Sequence, residues 1–435
     1  MAWRSTGAGE VIAAAATLAG LYLTLGVVWE AEQSALPPPP TQHADVPRHR
    51  APPMRSYPGL YPSPAPLLDL PAYSFVANSP ACGTEDEPLL LIILVFSHPA
   101  HATLREAHRA AASWDVLQKL GARRVFLLAD GSGDAQSGYA SVPVAEVVAE
   151  SGRFRDLVIA DFRDHYRNLT YKHALALTWA SSFCSRAKYI LKMDDDMMVD
   201  LWGLVAMLRE GLVTNSKGVV ISGQDIRKQS AFRGAESGNA VIDDERAARR
   251  GWKMAPGERK LLSPAGVWAA GLVQRGLAPQ RNHGKWHVSL EEYPKRLYPT
   301  FLSGWAYVIT QPAATAIMAA ARDHALPFWI DDVYMTGMMA VTAGVARYAL
   351  NQHYSLVTEA ASCCLEGPAH RHPERSVIPL CGLLVAPSDK NTSLLAHWMK
   401  TARACHLGRT CPSPPPSSCP PTRPHYAVGT VIPLS

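Results

Sequence analysis

No two cysteines of this chain stand in a C-x-x-C spacing, no segment repeats another, and no run of basic residues is interleaved with aromatics. The first absence excludes a zinc ribbon, the second an array of stacked repeats, and the third a nucleic-acid-binding stripe. A net charge of +5 over 435 residues is too modest to argue for a polyanionic partner, so nucleic acid is not expected. Hydrophobic residues make up 48% of the chain, enough to bury a substantial core in one large or two ordinary domains.

Charge is missing altogether from Val11 to Trp29, between Glu10 and Glu30. As a helix this span measures about 28 Å, close to the roughly 30 Å hydrocarbon layer, and it suits the thinner membranes of the early secretory pathway. A cleaved signal peptide ending near Ser34-Ala35 is the competing reading, but the span exceeds the usual apolar core of such a peptide. Arg4 and the amino terminus precede it, and Glu10 counts little for orientation. Residues 1–10 are therefore expected as a cytoplasmic tail and 11–29 as a transmembrane signal anchor. Residues 36–71 hold twelve prolines, which favour extended chain over a core, so 30–88 reads as a disordered lumenal stem. The proline-rich tail, 412–435, reads as disordered too. Eight cysteines suit an oxidising lumen. Their pairing is not deducible from sequence, though Cys363 and Cys364 are expected to reach different partners and Cys405 and Cys411 can close a small loop. Asn168-Leu-Thr and Asn391-Thr-Ser are glycosylation sequons.

Between stem and tail, residues 89–411 alternate strand and helix patterns. Leu89 to Ser97 is a continuous apolar run, as in a strand buried on both faces. A helix follows over Leu104 to Leu120, then strands at Val125 to Ala129 and Leu157 to Ala160, a helix over Tyr171 to Phe183, and a strand from Ala187 to Met193. This alternation predicts an α/β fold with a mainly parallel sheet. The last strand ends in Asp194-Asp195-Asp196, at the edge where open α/β sheets bind ligands. Adjacent carboxylates repel one another, so they need full solvation or a cation, and oxygen-only ligands suit Mn²⁺ or Mg²⁺. By itself such a triplet is more often a solvated acidic turn.

Other blocks change that balance: DFRDHYRNLTYK at 161–172, KWHVSLEEYP at 285–294, YPTFLSGWAYV at 298–308 and IDDVYMTG at 330–337. In this order, over about residues 89–350, they resemble the β1,3-galactosyltransferase and β1,3-N-acetylglucosaminyltransferase family, glycosyltransferase family 31. Its patterns are D-F-x-D-x-Y-x-N-L-T-x-K, K-x-D-D-D, Y-P-x-Y-x-S-G-x-G-Y-V and E/D-D-V-Y/F-x-x-G. The resemblance implies a GT-A-type nucleotide-sugar-binding domain in a single-pass type II Golgi membrane protein. The implied reaction moves galactose or N-acetylglucosamine from a UDP-sugar to a glycan hydroxyl of a glycoprotein or glycolipid, in β1,3 linkage and with inversion. It further implies Mn²⁺ (or Mg²⁺) at Asp196 and Asp194, and donor contacts from Asp195, Arg105, Arg109 and Lys172. Asp332 is the implied catalytic base. Asp331, expected to cap the following helix, joins Trp286, Glu291, Gly304 and Tyr307 as acceptor contacts.

Three departures qualify the resemblance. The segment from Arg105 to Trp114 is two residues longer than the family's R-x-A-I-R-x-T-W. The family's metal-binding histidine, about eleven residues before a late I-W, has no counterpart near Ala386, leaving His397 and His353 as substitutes. Residues 224–284, with the charged run Asp243 to Arg250, read as an inserted, loosely packed loop. The first two departures support an alternative, a catalytically inactive member acting as a sugar-binding or chaperone-like subunit.

Overall fold

The computed structural model describes residues 61–62, 67–69, 73–83, 89–131, 141–214, 220–221, 260–324, 326–367, 369–370, 380–408 and 410–412. The chain divides into Met1–Arg50 and Ala51–Ser435, and all of these residues lie in the second unit. The expected anchor at 11–29 and the tail beyond 412 fall outside the described residues. Among the described residues no helix is long and apolar enough to cross a membrane.

Nine of the described strands form one sheet. They are Tyr61–Pro62 (β1), Ser74–Ala77 (β2), Leu91–Phe96 (β3), Ala122–Asp130 (β4), Leu157–Arg163 (β5) and Tyr189–Asp194 (β6). After the short Met197–Val199 (β7), which lies outside this sheet, come Trp268–Gln274 (β8), Phe301–Thr310 (β9) and Ala346–Ala349 (β10). Their spatial order is β1-β2-β5-β4-β3-β6-β9-β8-β10. Only β2 and β9 run against the other seven, so the sheet is mainly parallel, as the sequence predicts.

The helices are Ala102–Ala111 (α1), Trp114–Lys119 (α2), Val144–Phe154 (α3), Leu169–Phe183 (α4), Leu201–Glu210 (α5), Gln311–Arg322 (α6), Thr358–Glu366 (α7) and Thr392–His406 (α8). β3 is apolar throughout because both its faces are covered. Ile92, Leu94 and Phe96 pack with Leu175 of α4 and Ile317 of α6; Leu91, Ile93 and Val95 pack with Leu204 of α5 and Trp398 of α8. This period of two is the strand geometry expressed as two cores.

Three expectations change. The helix foreseen over 104–120 is two helices, because Ala112 is extended (φ −140°, ψ 92°). The buried Arg124 guanidinium of β4 donates to the carbonyls of His108 (2.7 Å) and Ala112 (3.0 Å), satisfying the broken end. The stem foreseen over 30–88 is folded in its later part: Leu67, Tyr73 and Phe75 are buried in the core, β2 pairs with β5, and Cys82 is bonded to Cys184. Apolar side chains there outweigh the prolines. The loop foreseen over 224–284 contributes β8, a buried strand between β9 and β10, while 222–259 lie outside the described residues. Cys364 pairs with Cys381 and Cys405 with Cys411, consistent with separate partners for Cys363 and Cys364.

Candidate active site

The carboxyl ends of β3 and β6 lie in register, Phe96 beside Asp194, and β9 brings Gly304 to the same edge. The cleft opening there has a volume of about 980 Å³ and is lined by Asp194–Asp196, Asp331, Asp332, Lys172, Lys192, Trp286 and Gly304, among others.

Each acid of the triplet has a different setting. Asp194 is ion-paired with Lys192 Nζ at 2.6 Å. Burial, together with Asp196 and Asp331, nevertheless pushes its carboxyl up to about 7. Asp195 accepts from His101 Nδ1 at 2.9 Å, and its backbone carbonyl accepts from His108 Nε2 at 2.8 Å. Burial opposes its charge, but the His101 bond holds its carboxyl below the usual range. Asp196 is held by its backbone, whose carbonyl accepts from Ser388 N (2.8 Å) and Oγ (2.7 Å). Burial and Asp195 raise the pKa of its carboxylate, against the pull of the Lys390 charge. Oxygen donors of this kind have the chemistry to hold a divalent ion, which Asp196 would ligate. Among the described residues no group of three His, Cys, Asp or Glu is placed to cage one. His353 bonds Gly382 O, and neither it nor His397 lines the cleft.

Lys192 ties the two acidic groups together. Its buried ammonium donates to Asp194 and to the Gly304 carbonyl and sits 4.2 Å from the Phe96 ring. Burial works against this charge, but Asp194, Asp331 and Asp332 outweigh it and raise the pKa above that of an ordinary lysine.

The acidic pair departs from expectation in its capping residue. Asp332, rather than Asp331, caps the following helix: Oδ1 accepts from Val333 N at 2.8 Å and Oδ2 from Gly304 N at 3.0 Å. Asp331 instead turns to His173 Nδ1 at 2.8 Å, because that imidazole is the donor facing it. Burial and the neighbouring Asp331 charge push the Asp332 carboxyl up to about 7. Burial also opposes the Asp331 charge, but His173 and Lys192 hold its carboxyl below the ordinary value. Val333–Met339 is a π-helix, with Ala340 N reaching Met335 O. Gly337 lets it lie against β9, since a Cβ there would come within 3.1 Å of Phe301 and Pro299. At Gly304 an added Cβ would be 3.5 Å from Asp332 Cβ and Lys192 Nζ, an ordinary contact.

The remaining candidates divide. Trp286 stands at the rim, edge-on to Tyr166 at 4.8 Å. Lys172 lines the cleft, but its ammonium is held by Asp164 Oδ2 (2.5 Å) and Ser97 O (2.9 Å). With Asn168 Nδ2 on Arg163 O and Thr170 Oγ1 on Phe328 O, the 161–172 block largely binds itself and its neighbours. Arg105 and Arg109 are outside the cleft: Arg105 pairs with Glu150, and Arg109 with Glu150 and Asp156. Arg105 also donates to His98 O and Pro99 O, bracing the loop that follows β3. Tyr307 is buried beneath the cleft against His173, and Glu291 is exposed away from it, while its neighbour Glu292 holds Arg167. Sequence reasoning missed Lys192, His173 and Arg281, whose guanidinium binds the carbonyls of Val288, Ser289 and Tyr293. Lys192 stood inside K-x-D-D-D and was readable there; the other two carried no signal.

Acids from two elements thus meet at the carboxyl edge of the sheet, where open α/β folds bind their ligands. The Galactosyltransferase family model matches residues 105–256 and 257–351. Beta-1,3-galactosyltransferase 4 of Mus musculus is 31% identical over 312 residues, covering 68% of this chain and 72% of the relative. That of Homo sapiens is 33% identical over 309 residues, with the same coverage. Lactosylceramide 1,3-N-acetyl-beta-D-glucosaminyltransferase of Xenopus tropicalis is 27% identical over 278 residues, covering 63% of this chain and 60% of the relative. The chain belongs to the galactosyltransferase family, glycosyltransferase family 31, and is a glycosyltransferase of the β1,3-linking kind.

Proposed function

We propose that the chain is an inverting, divalent-cation-dependent enzyme that moves galactose from UDP-galactose to a glycan hydroxyl, with Asp332 as base and Asp196 as metal ligand. The observation that carries this reading is the meeting of the Asp194–Asp196 triplet and the Asp331–Asp332 pair on one cleft. The names of the mouse and human relatives support galactose over N-acetylglucosamine as the donor sugar. The Xenopus relative's name supports a glycolipid among the acceptors to be tried.

Each Asp332 oxygen accepts one backbone N–H, leaving lone pairs free for an acceptor hydroxyl. As the new glycosidic bond forms and the bond to the diphosphate breaks, the hydroxyl proton passes to Asp332. A carboxyl near 7 is well matched to that transfer at neutral pH. Lys192, joined to Asp194 and the Gly304 carbonyl, keeps the edges of β6 and β9 in fixed relation. Asp196 would hold a divalent cation, which when bound would supply Lewis-acid neutralisation of the leaving diphosphate.

We place the protein in the Golgi membrane, anchored by Val11 to Trp29 with its catalytic domain in the lumen; the charge-free span and the disulfides support this. The test is to incubate the full-length, detergent-solubilised protein with UDP-galactose or UDP-N-acetylglucosamine, Mn²⁺ and a panel of glycan and glycolipid acceptors. Acceptor-dependent UDP release with UDP-galactose is expected. Sugar binding without release from either donor would favour the inactive, chaperone-like subunit.

A further inference from the structure

His173 lies in the first turns of α4, completely buried, and its ring bridges two elements of the site. Nδ1 is 2.8 Å from Asp331 Oδ2, and Nε2 meets the Tyr307 hydroxyl of β9. The Phe96 ring closes over it edge-on, 5.4 Å between centroids. Burial lowers the His173 pKa, working against a charged imidazolium, while Asp331 opposes that shift. Burial also raises that of Tyr307 well above the ordinary value, so its O–H is retained and donates to Nε2. Nδ1 faces a carboxylate oxygen, which as the ionised form only accepts, so the His173 proton at Nδ1 points at Asp331.

The groups facing the acidic pair come from each surrounding element. Lys192 and Asp194 belong to β6, Tyr307 to β9, Tyr298 to the segment before β9, and Tyr166 to the turn before α4; all act on Asp331 or Asp332 through their charge or dipole. His173 donates to Asp331 from its side chain, beside the Asp332 backbone N–H, and makes no bond to Asp332.

We propose that His173 is a positioning residue for transfer: by giving Nδ1–H to Asp331 it fixes which member of the acidic pair stays charged, and so reserves Asp332 to take the acceptor's proton. This rests on the reading of Asp332 as base. When the donor is removed, Asp331 becomes the first of the pair to protonate. Asp332 then no longer faces a charged neighbour, its affinity for a proton falls, and it becomes a weaker base.

The experiment compares full-length wild type with His173→Leu, His173→Asn, Tyr307→Phe, Asp331→Asn and the double variant His173→Leu/Asp331→Asn. It measures kcat/KM across pH, with melting temperatures recorded alongside. In His173→Leu the acid limb is expected to move to lower pH by about one unit, with a lower plateau. His173→Asn, whose amide nitrogen stands where Nδ1 stood, should restore the wild-type profile. If His173→Leu does not fold, Tyr307→Phe carries the test, with a smaller shift in the same direction. In the Asp331→Asn background, His173→Leu should have no further effect on the profile. A His173→Leu or Tyr307→Phe profile superimposable on wild type overturns the proposal, as does an undiminished effect in the Asp331→Asn background. Full turnover in Asp332→Asn would instead overturn the assignment of the base, whatever the His173 variants do.

Discussion

The Gly304 amide donates to Asp332 Oδ2 at 3.0 Å, joining β9 to an acid 28 residues further along the chain. The same residue's carbonyl receives Lys192, so one glycine connects the two acidic groups of the cleft. Asp332 is thereby held by backbone on both oxygens, a rigid placement for a proton acceptor.

Asp332→Asn should lower kcat by about 10² to 10⁴ while leaving the Kd for UDP nearly unchanged, because a base acts on the chemical step. Single-turnover transfer and calorimetric UDP titration separate the two. Near-normal turnover removes Asp332 from the mechanism.

The pH dependence follows from the raised Asp332 carboxyl. A carboxyl at about 7 is protonated, and useless as a base, below that value. kcat/KM should therefore fall as pH drops through about 7, rather than through the ordinary carboxylate range near 4. A profile flat down to pH 5 would contradict the raised value.

Asp196→Ala should weaken Mn²⁺-dependent UDP binding and turnover together, since the ion would join this carboxylate to the diphosphate. Titrating UDP with and without EDTA gives a readout independent of activity. Survival of both binding and activity in the variant and in EDTA would mean that the triplet is not a metal site.

Lys192→Met should destabilise the fold by about 3 kcal/mol, because it leaves the acids facing that position without their buried counter-charge. Urea unfolding measures it. Donor binding should weaken as well, since Asp194 and the Gly304 carbonyl lose their shared partner. An unchanged midpoint would show that solvent replaces the ammonium at no cost.

In sealed vesicles, added protease should spare the catalytic domain until detergent is present. The deglycosylation shift should come mainly from Asn391: its side chain is exposed at the start of α8, whereas the Asn168 amide is turned inward to Arg163 O. Digestion without detergent would reverse the proposed orientation, and quantitative secretion of a chain beginning near Glu30 to Leu36 would identify a signal peptide.

The strands near the site were legible because β3, β5 and β6 are short apolar runs, and the acids sit at the end of the last of them; the strand order was not. The metal and base candidates came instead from the resemblance of the blocks that carry them. What stayed hidden was the choice of partner. Arg105 and Arg109 look like free cations in sequence, yet Glu150 and Asp156 lie more than forty residues away in the chain and engage them in space. His173 sits in an apolar helix and reads as core until Asp331 is brought to it from 158 residues away. Asp331 and Asp332 are alike by local pattern, and only His173 and Gly304 decide which of them turns where. The prolines of 36–71 masked a folded stretch, because composition does not register that Leu67, Tyr73 and Phe75 have a core to enter.

The Cys82–Cys184 bond has a mechanical meaning. A pull arriving along the chain from the amino-terminal side reaches the sheet first through β1 and β2, which lie at its edge. The sulfur link carries that load sideways to the residue just after α4, while His173 and Lys172 sit at the opposite end of the same helix. Edge strands can therefore yield under tension without the strain being delivered through β3, whose carboxyl end forms the floor of the cleft. The covalent tie behaves as a strain relief, of the kind fitted where a cable enters an instrument.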